Sequence, residues 1–240
     1  MWGGERRSIS MSTGKERLMS EENRKAIRIS VRNLVEFVLR SGDIDNRCSG
    51  NAQKDAMLAG GRIHRKIQKR MGSGYRAEVP LKHEVQDEEQ EITLLVEGRA
   101  DGIFTENGIP VIDEIKGMYT DISRLEEPIE VHLAQAMCYG YFYCCDKDLD
   151  GIRLQMTYCN LETEEIKRFQ TEELETWFSG VVHEYFKWAR YLYHHELTRD
   201  ASIGHLEFPF PYRAGQRDLV VSVYRTVSRK KRLFIQAPTG

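Results

Sequence analysis

An Asn-Gly pair between two apolar stretches constrains the fold of this chain more than any other feature of its sequence. Asn107 and Gly108 separate the stretch over residues 98–104 from the stretch over residues 109–116. Asn-Gly in such a setting is typical of a two-residue type I′ turn, in which both central residues take positive φ. We therefore predict that the two stretches form an antiparallel hairpin.

The register of this hairpin brings two acidic residues together. If Glu106 stands opposite Ile109 at the turn, counting outward places Asp101 opposite Glu114. Opposed side chains share a face with Cβ atoms about 4.5–5.5 Å apart, where like charges are destabilising. A divalent cation held by oxygen ligands would neutralise the pair. Lys116 points to the same face as Glu114, because alternate residues of a strand do so.

The alternative for this acidic pair is an ordinary solvated strand face on which Lys116 forms a cross-strand salt bridge. Apolar residues surround the charged positions, since Ile103 shares their face while Ala100 and Val111 are on the other. A strand with apolar residues on both faces is expected to be covered by other elements. A buried charged strand therefore favours a functional site.

Helical and strand-like periodicities alternate along residues 28–197. Ser30 is the predicted N-cap of the first helix. The predicted helices are 29–39, 51–71, 130–145 and 172–195, and the predicted strands are 75–82, 92–96, 98–104, 109–116, 151–160 and 164–171. Strands enclosed by helices indicate an α/β fold with a mixed central β-sheet flanked by helices.

Four segments are predicted from changes in composition along the chain. Residues 1–27 have little periodicity and are expected to be a frayed tail. The main domain is expected over residues 28–197, with a linker over 198–207. A second unit is expected over 208–240, with a helix near 216–227 and a short strand at 232–236.

Composition excludes several classes of protein. Hydrophobic residues make up 40% of the 240 residues, and no apolar run approaches the roughly 20 residues of a membrane-spanning helix. The N-terminus lacks the apolar core of a signal peptide, so we expect a cytoplasmic protein that does not bind membranes. The formal net charge of −2 means that any affinity for nucleic acid must come from local basic patches.

Four short motifs resemble those of the PD-(D/E)XK nuclease superfamily, and within it the RecB-like branch. They are Gly-Arg-Ala-Asp-Gly ending at residue 102, Glu-Ile-Lys ending at Lys116, Gly-Gly-Arg-Ile-His ending at His64, and Gln-Ala-Met-Cys-Tyr from Gln135 to Tyr139. They follow the order of the family over roughly residues 50–160. The resemblance implies a restriction-endonuclease-like core and a metal-dependent DNA nuclease.

The resemblance also implies roles for individual residues. His64, Asp101, Glu114 and the backbone carbonyl of Ile115 would be ligands of Mg²⁺ or Mn²⁺, which oxygen donors with one imidazole suit. The metal would activate a water molecule and stabilise charge in the transition state. Lys116 would orient or deprotonate that water. Without the family match, His64 would be read as a surface histidine on a basic helix.

Two further groups are candidates for contact with DNA. Gln135 and Tyr139 are four residues apart and share a helix face, where they could hold the DNA strand or position Lys116. The alternative for both is ordinary helix packing. Arg65 and Lys69 belong to a basic helix that could bind phosphates, although such a run of charge is often only solvated. The remaining basic residues of that helix are Arg62, Lys66 and Arg70.

The five cysteines do not match a metal-cluster pattern. Some relatives carry an iron–sulfur cluster with one cysteine before the histidine helix and three after the Gln-x-x-x-Tyr helix. Cys48 precedes, and Cys144, Cys145 and Cys159 follow. The spacing typical of those relatives is absent, which argues against a cluster. An odd number of cysteines without a C-x-x-C pair also argues against a disulfide framework and a structural zinc site.

The C-terminal segment resembles the opening of a superfamily 2 helicase of the XPD/DinG type. Arg213 and Gln216 resemble its adenine-reading element. Ala237, Pro238, Thr239 and Gly240 resemble the first four residues of a Walker A loop, whose remaining residues would cradle phosphates and Mg²⁺. We expect the first helix and strand of a P-loop helicase domain here. Only the complete parent protein would then bind ATP.

The interpretation drawn from the sequence is a DNA nuclease domain of a nuclease–helicase fusion that acts on single-stranded ends or flaps. Its expected partners are DNA and the helicase domain of the same polypeptide. The main alternative is a non-catalytic DNA-binding module that loads a helicase. A restriction-type endonuclease with sequence specificity is a third possibility, against which the helicase-like segment argues.

Overall fold

A mixed six-stranded sheet organises the main part of the chain. The computed structural model describes residues 24–42, 50–89, 91–172, 176–207 and 209–236. Within its first compact unit the strands are β1 (Lys25–Ser30), β2 (Arg76–Gln86), β3 (Ile92–Glu106), β4 (Ile109–Met118), β5 (Arg153–Asn160) and β6 (Ile166–Glu172). The β1–β3 and β4–β5 pairs are parallel and the other pairs are antiparallel, which confirms the predicted mixed sheet.

Strand β3 has different neighbours along one of its edges. On the opposite edge of β3, β2 pairs with β3 along most of the length of β3. On the first edge, β1 pairs with residues 92–97 and β4 pairs with residues 102–106. No described strand pairs with residues 98–101 on that edge, so the backbone there lies between the end of β1 and β4. Asp101 is the last residue of this opening.

Five helices and one 3-10 turn accompany the strands in the described ranges. They are α1 (Val31–Val38), α2 (Gly50–Arg70), the 3-10 helix Ile122–Arg124, α3 (Glu130–Lys147), α4 (Thr176–Gly204) and α5 (Gln216–Ser228). The predicted cap of α1 is confirmed, because the Ser30 side chain accepts a hydrogen bond of 3.1 Å from the Asn33 N–H. None of the described helices is long and apolar enough to cross a membrane.

The helices cover both faces of the sheet. Ile112 and Ile115 of β4 are three residues apart and therefore point to opposite faces. Ile112 belongs to the main core, to which α1, α3 and α4 contribute. Ile115 belongs to a smaller cluster with Ile63 and Ile67 of α2. The sheet is thus flanked by helices, as the sequence predicts.

Helix α2 passes close to β4 at Gly117. A Cβ atom added to Gly117 would lie 2.7 Å from Leu161 and 3.6 Å from the Cα atom of Gly60. The Leu161 side chain would have to move to admit that Cβ atom, whereas Gly60 would be at an ordinary contact distance. One turn further along α2 stands His64. The close approach therefore helps to carry the imidazole to the sheet.

Three predictions about secondary structure are wrong in part. Residues 25–27, assigned to a frayed tail, belong to β1, while residues 1–23 lie outside the described ranges. Helix α4 continues to Gly204, beyond the predicted end near residue 195. Residues 232–236 form no strand, because no described strand lies alongside to pair with their backbone groups.

The chain divides into two compact units between Tyr193 and His194. In the second unit, α5 confirms the helix predicted near 216–227. The predicted linker over 198–207 stays a prediction.

Candidate active site

The β3–β4 hairpin has the register that the Asn-Gly turn predicts. Asn107 and Gly108 take φ values of 52° and 82°, and Glu106 pairs with Ile109. The ladder continues outward only as far as the pair Gly102–Asp113. The two predicted acidic residues come next on each strand, at the point where the strands stop pairing.

At this point a side chain replaces the backbone ladder. Asp101 and Glu114 were expected to be directly opposed, but no backbone pair joins them. Instead, the Ile115 N–H donates a hydrogen bond of 2.7 Å to Oδ2 of Asp101. The carboxylate of β3 thus holds the backbone of β4 beside Glu114. The correction has a simple cause, because a carboxylate placed between two strands competes with the carbonyl that would continue the ladder.

His64 reaches the same carboxylate from α2. Its Nδ1 atom lies 3.2 Å from Oδ1 of Asp101. Burial lowers the pKa of His64, but the hydrogen bond and charge of Asp101, together with the charge of Glu114, raise it above 6.5 overall. An imidazole and a carboxylate from two different elements are therefore paired at the opening in the sheet.

Gln68 is a site residue that the sequence prediction missed. Its side-chain amide donates to the backbone oxygen of Asp101 at 2.9 Å and to Oε1 of Glu78 at 3.3 Å. Gln68 follows His64 by four residues, so both lie on the same face of α2. That spacing is the signal that would have identified it. The amide fixes the backbone of the residue whose carboxylate His64 contacts.

Glu114 is almost completely buried, and one of its oxygens is unsatisfied. The residue is 4% exposed. Its Oε1 atom accepts a bond of 2.8 Å from Lys116 Nζ, whereas Oε2 finds no hydrogen-bond partner among the described residues. Burial raises the pKa of Glu114 to about 7, against the opposing effect of the Lys116 charge. A buried carboxylate oxygen without a partner is costly unless a cation or a donor completes it.

Lys116 is held between two acceptors. Its ammonium group donates to Glu114 at 2.8 Å and to Oε1 of Gln135, on α3, at 2.7 Å. Gln135 is buried and thus presents its amide oxygen from a fixed position. Of the two roles considered for Gln135, this geometry favours the positioning of Lys116. A direct contact of Gln135 with DNA stays a prediction.

Tyr139 lies one turn beyond Gln135 and is buried, with 6% of its surface exposed. A Cβ atom added to Gly98 would stand 2.6 Å from the Tyr139 hydroxyl oxygen, which also hydrogen-bonds the backbone of Arg99. The ring therefore packs against the unpaired stretch of β3 and offers no open surface for a base. A contact of its hydroxyl with DNA stays a prediction.

The donor set at the opening suits a divalent metal ion. The unsatisfied oxygen of Glu114, the Asp101 carboxylate and the His64 imidazole come from β4, β3 and α2, respectively. Their ligand atoms do not all lie within 4.8 Å of one another in the described structure. The ion pair of Lys116 with Glu114 and the bond of Ile115 to Asp101 occupy one oxygen of each acid. The role of the Ile115 carbonyl stays a prediction.

The basic residues of α2 are solvent-exposed. Arg65 and Lys69 have no ion pair with any described side chain, whereas Lys66 is bonded to Glu164. Their positive charge is therefore available on the helix that carries His64. Binding of DNA phosphates by these residues stays a prediction.

The nucleotide-binding prediction rests on residues of the second unit. Gln216 begins α5, and its side-chain oxygen accepts a hydrogen bond of 3.0 Å from the Arg213 N–H. The Walker A resemblance over 237–240 lies outside the described residues, as does Cys48. ATP binding and the argument against an iron–sulfur cluster stay predictions.

Comparisons with known proteins give weak likenesses only. No family model matches the chain, and no curated protein matches it. A crystal structure of SSO0001 is similar at 18% identity and a TM-score of 0.45, over 71% of this chain and 80% of that chain. An alkaline exonuclease from Laribacter hongkongensis, LHK-Exo, is similar at 12% identity and 0.44, over 73% and 93% of the two chains. Its complex with dAMP gives 12% and 0.45, over 78% and 98%. Likenesses this low assign no family.

Proposed function

We propose that the first unit is a metal-dependent deoxyribonuclease that hydrolyses DNA phosphodiester bonds. The observation that carries the proposal is the convergence of His64, Asp101, Glu114 and Lys116 where β3 and β4 separate. Two acids, an imidazole and an amine at an opening in a sheet form a donor set for a divalent cation and a water molecule. The unsatisfied oxygen of Glu114 supports the same reading, since a fully structural acid would be expected to have partners.

Four groups would hold the metal. They are the carboxylates of Asp101 and Glu114, the imidazole of His64 and the backbone carbonyl of Ile115. Bound Mg²⁺ or Mn²⁺ would lower the pKa of a water molecule and stabilise charge on the phosphoryl oxygens. The hydrogen bond from Ile115 to Asp101 keeps the acids of the two strands in a fixed relation before any metal binds.

Lys116 has one hydrogen-bond donor left for the reaction. An ammonium group has three N–H donors. Two of them are directed to Glu114 and Gln135. The third can be donated to the attacking water or to a phosphate oxygen. Because Gln135 is buried and neutral, it fixes the amine without reducing its charge, which is useful where negative charge develops in the transition state.

We also propose that the exposed cations of α2 bind the substrate. Arg65 and Lys69 lie on the helix that supplies His64, so phosphates bound there would lead the DNA backbone to the opening in the sheet. Single-stranded ends or flaps are the proposed substrates. We further propose that the second unit begins a helicase ATP-binding domain. The contact of Arg213 with Gln216 supports a preformed element at that point.

The test is cleavage of labelled single- and double-stranded DNA by the purified chain with Mg²⁺ or Mn²⁺, with and without a chelator. We expect chelator-sensitive products that disappear in D101N, E114Q and K116M. E84Q and K82M are matched controls, because Glu84 and Lys82 belong to β2 and neither contacts the four site residues. If the unmutated chain binds DNA but cleaves none with either metal, the helicase-loading module is the better interpretation.

A further inference from the structure

The last pair of the β3–β4 ladder, Gly102 and Asp113, is adjacent to both acids of the site. The phenol ring of Tyr75 lies over this pair. A Cβ atom added to Gly102 would stand 1.8 Å from the ring and the hydroxyl oxygen of Tyr75. The same hydroxyl donates a hydrogen bond of 2.9 Å to Oδ2 of Asp113. Tyr75 therefore contacts both strands at the position where they begin to separate.

Asp113 is a buried acid whose hydrogen bonds are complete. It is 0% exposed. Besides Tyr75, its carboxylate accepts from Thr157 Oγ1 at 2.6 Å and from Gln155 Nε2 at 3.1 Å. Gln155 in turn accepts a bond of 3.0 Å from Gln170 of β6. The network ties β4 to β5 and β6 on one side and, through Tyr75, to β3 on the other.

Compared with a well-packed apolar core, a buried polar network of this kind contributes a fixed geometry rather than additional stability, although removing one of its partners is destabilising. An apolar residue of similar volume could fill such a position at comparable or lower energetic cost. A fully bonded carboxylate instead allows one arrangement of its donors. Here the donors come from the segment before β2 and from β5, and the acceptor is the residue immediately before Glu114.

We propose that Tyr75, through Gly102 and Asp113, is a positioning residue that sets the separation of β3 and β4 and so aligns Asp101 with Glu114. This inference rests on the proposed function, since it assigns Tyr75 to the same site. One residue past the Tyr75 contact, Asp101 holds the Ile115 N–H at 2.7 Å. In this proposal, that bond depends on the spacing that the Tyr75 contact sets. Tyr75 itself does not contact the groups assigned to the reaction.

The test compares Y75F with Y143F. The first variant removes only the hydroxyl that bonds Asp113. The second removes a hydroxyl that accepts a bond of 2.8 Å from Arg76 and has no link to the acidic pair. Residues that hold metal ligands in place typically change metal affinity by about 10- to 100-fold when they are altered. We expect the affinity of Y75F for Mn²⁺, measured by titration with MnCl₂ alone, to fall by a factor in this range. The affinity of Y143F should change little.

A second readout does not depend on metal or cleavage. The exchange rate of the Ile115 amide proton, followed by NMR, reports the bond to Asp101 directly. We expect faster exchange in Y75F than in the unmutated chain and in Y143F. Unchanged exchange in Y75F would overturn the inference even if the chain is a nuclease. Faster exchange in a chain that never cleaves DNA would refute the proposed function but keep the positioning role.

The test remains decisive if Y75F does not fold. D113N keeps the size of the side chain and disturbs the same network, and it is expected to speed Ile115 exchange and weaken Mn²⁺ binding in the same way. Folded D113N with normal exchange and normal Mn²⁺ binding would overturn the inference. A loss of stability without these two changes would mean that the network is structural only.

Discussion

Asp113 and Glu114 are neighbours on one strand, and both are buried acids, yet their surroundings differ. Asp113 faces the side of the sheet that carries Thr157 and Gln155, and donors complete its hydrogen bonds. Glu114 faces the opposite side and keeps one oxygen without a partner. The comparison teaches that burial alone does not identify a functional acid. An acid whose hydrogen bonds are complete fixes the strand, whereas an incomplete acid leaves a place for a cation.

The largest expected effect is a loss of cleavage when Glu114, the incomplete acid, is replaced. Glu114→Gln keeps the size of the side chain but removes the charge that would bind the metal. We expect metal-dependent cleavage to fall by at least about 100-fold, the scale of losing one group that stabilises the transition state. Single-turnover cleavage with Mn²⁺ measures it. Equal rates for E114Q and the control E84Q would contradict the assignment of Glu114.

The complete acid should matter most for stability. Asp113→Ala leaves the hydroxyls of Tyr75 and Thr157 without an acceptor in a buried space, whereas the Gln155 amide keeps a bond of 3.4 Å to Thr157 Oγ1. Each unsatisfied buried group costs about 1–3 kcal/mol, so we expect the free energy of unfolding to fall by about 3 kcal/mol or more. Urea denaturation without metal measures this loss. The comparison fails if E114Q, under the same conditions, loses as much stability as D113A.

Metal should stabilise the folded chain only while the site that contains Glu114, the incomplete acid, is intact. A ligand that binds the folded state alone at 100 times its Kd adds about 2.7 kcal/mol to the free energy of unfolding. We expect Mn²⁺ to raise the Tm of the unmutated chain and of the control K82M, and not that of D101N. A Tm increase of equal size in D101N would place the bound metal elsewhere.

His132 extends the comparison to a partly buried imidazole. Burial, followed by the charges of Lys116 and Arg32, lowers its pKa to about 4, while Glu36 acts in the opposite direction. Its ring contacts the Tyr158 hydroxyl at 3.3 Å. Because the pKa in the folded state lies below 6.5, the unfolded state binds the proton more readily. The stability that neutral His132 contributes is therefore present above about pH 6.5 and is lost as the pH falls towards 4.

Urea denaturation at several pH values between 7.5 and 4 measures this effect. We expect the unmutated chain to lose more stability than H132Q as the pH falls through this window. H183Q is the matched control, because His183 is exposed on α4, and it should follow the unmutated chain. Parallel pH curves for H132Q and the unmutated chain would contradict the prediction.

The smallest expected effect distinguishes the role of the turn, which is in stability, from the role of the site, which is in cleavage. Gly108 has a φ of 82°, where a side chain costs about 1–2 kcal/mol. We expect Gly108→Ala to lower the free energy of unfolding by about this amount, while Gly151→Ala, with nothing within 4 Å of its added Cβ, changes it little. Cleavage per folded molecule should be the same in both. A loss of cleavage in G108A alone would mean that the turn, and not the Gly102–Asp113 pair, sets the spacing of the acids.

Local patterns predicted the parts of the fold that local chemistry decides. The Asn107-Gly108 turn fixed the hairpin register, and Ser30 identified the start of α1. Strand β1 was missed because it alternates charged and apolar residues briefly and gains its structure from a parallel partner more than 60 residues away, at Ile92 and beyond. The strand predicted near 232–236 had the right composition, but a strand also needs a neighbour.

The acids of the candidate site were predictable from the sequence, but the residues that hold them in place were not. Asp101, Glu114 and Lys116 follow from one hairpin and its alternation. The network of Asp113 depends on β5, whose pairing with β4 is not encoded in the spacing of either strand. The ring of Tyr75, which precedes β2, contacts Gly102 at the end of the ladder. Such contacts join distant segments, and a single sequence carries no local signal for them.

The contact between Gly98 and Tyr139 links the position of the Lys116 amine to a residue that Lys116 does not contact. A methyl group at position 98 would need the space of the Tyr139 hydroxyl, so the Tyr139 ring would have to move, either alone or together with α3. Gln135 belongs to the same helix, one turn earlier, and would move with it. An outward shift of α3 would loosen the hydrogen bond between Gln135 and the Lys116 ammonium group, which is 2.7 Å long in this structure.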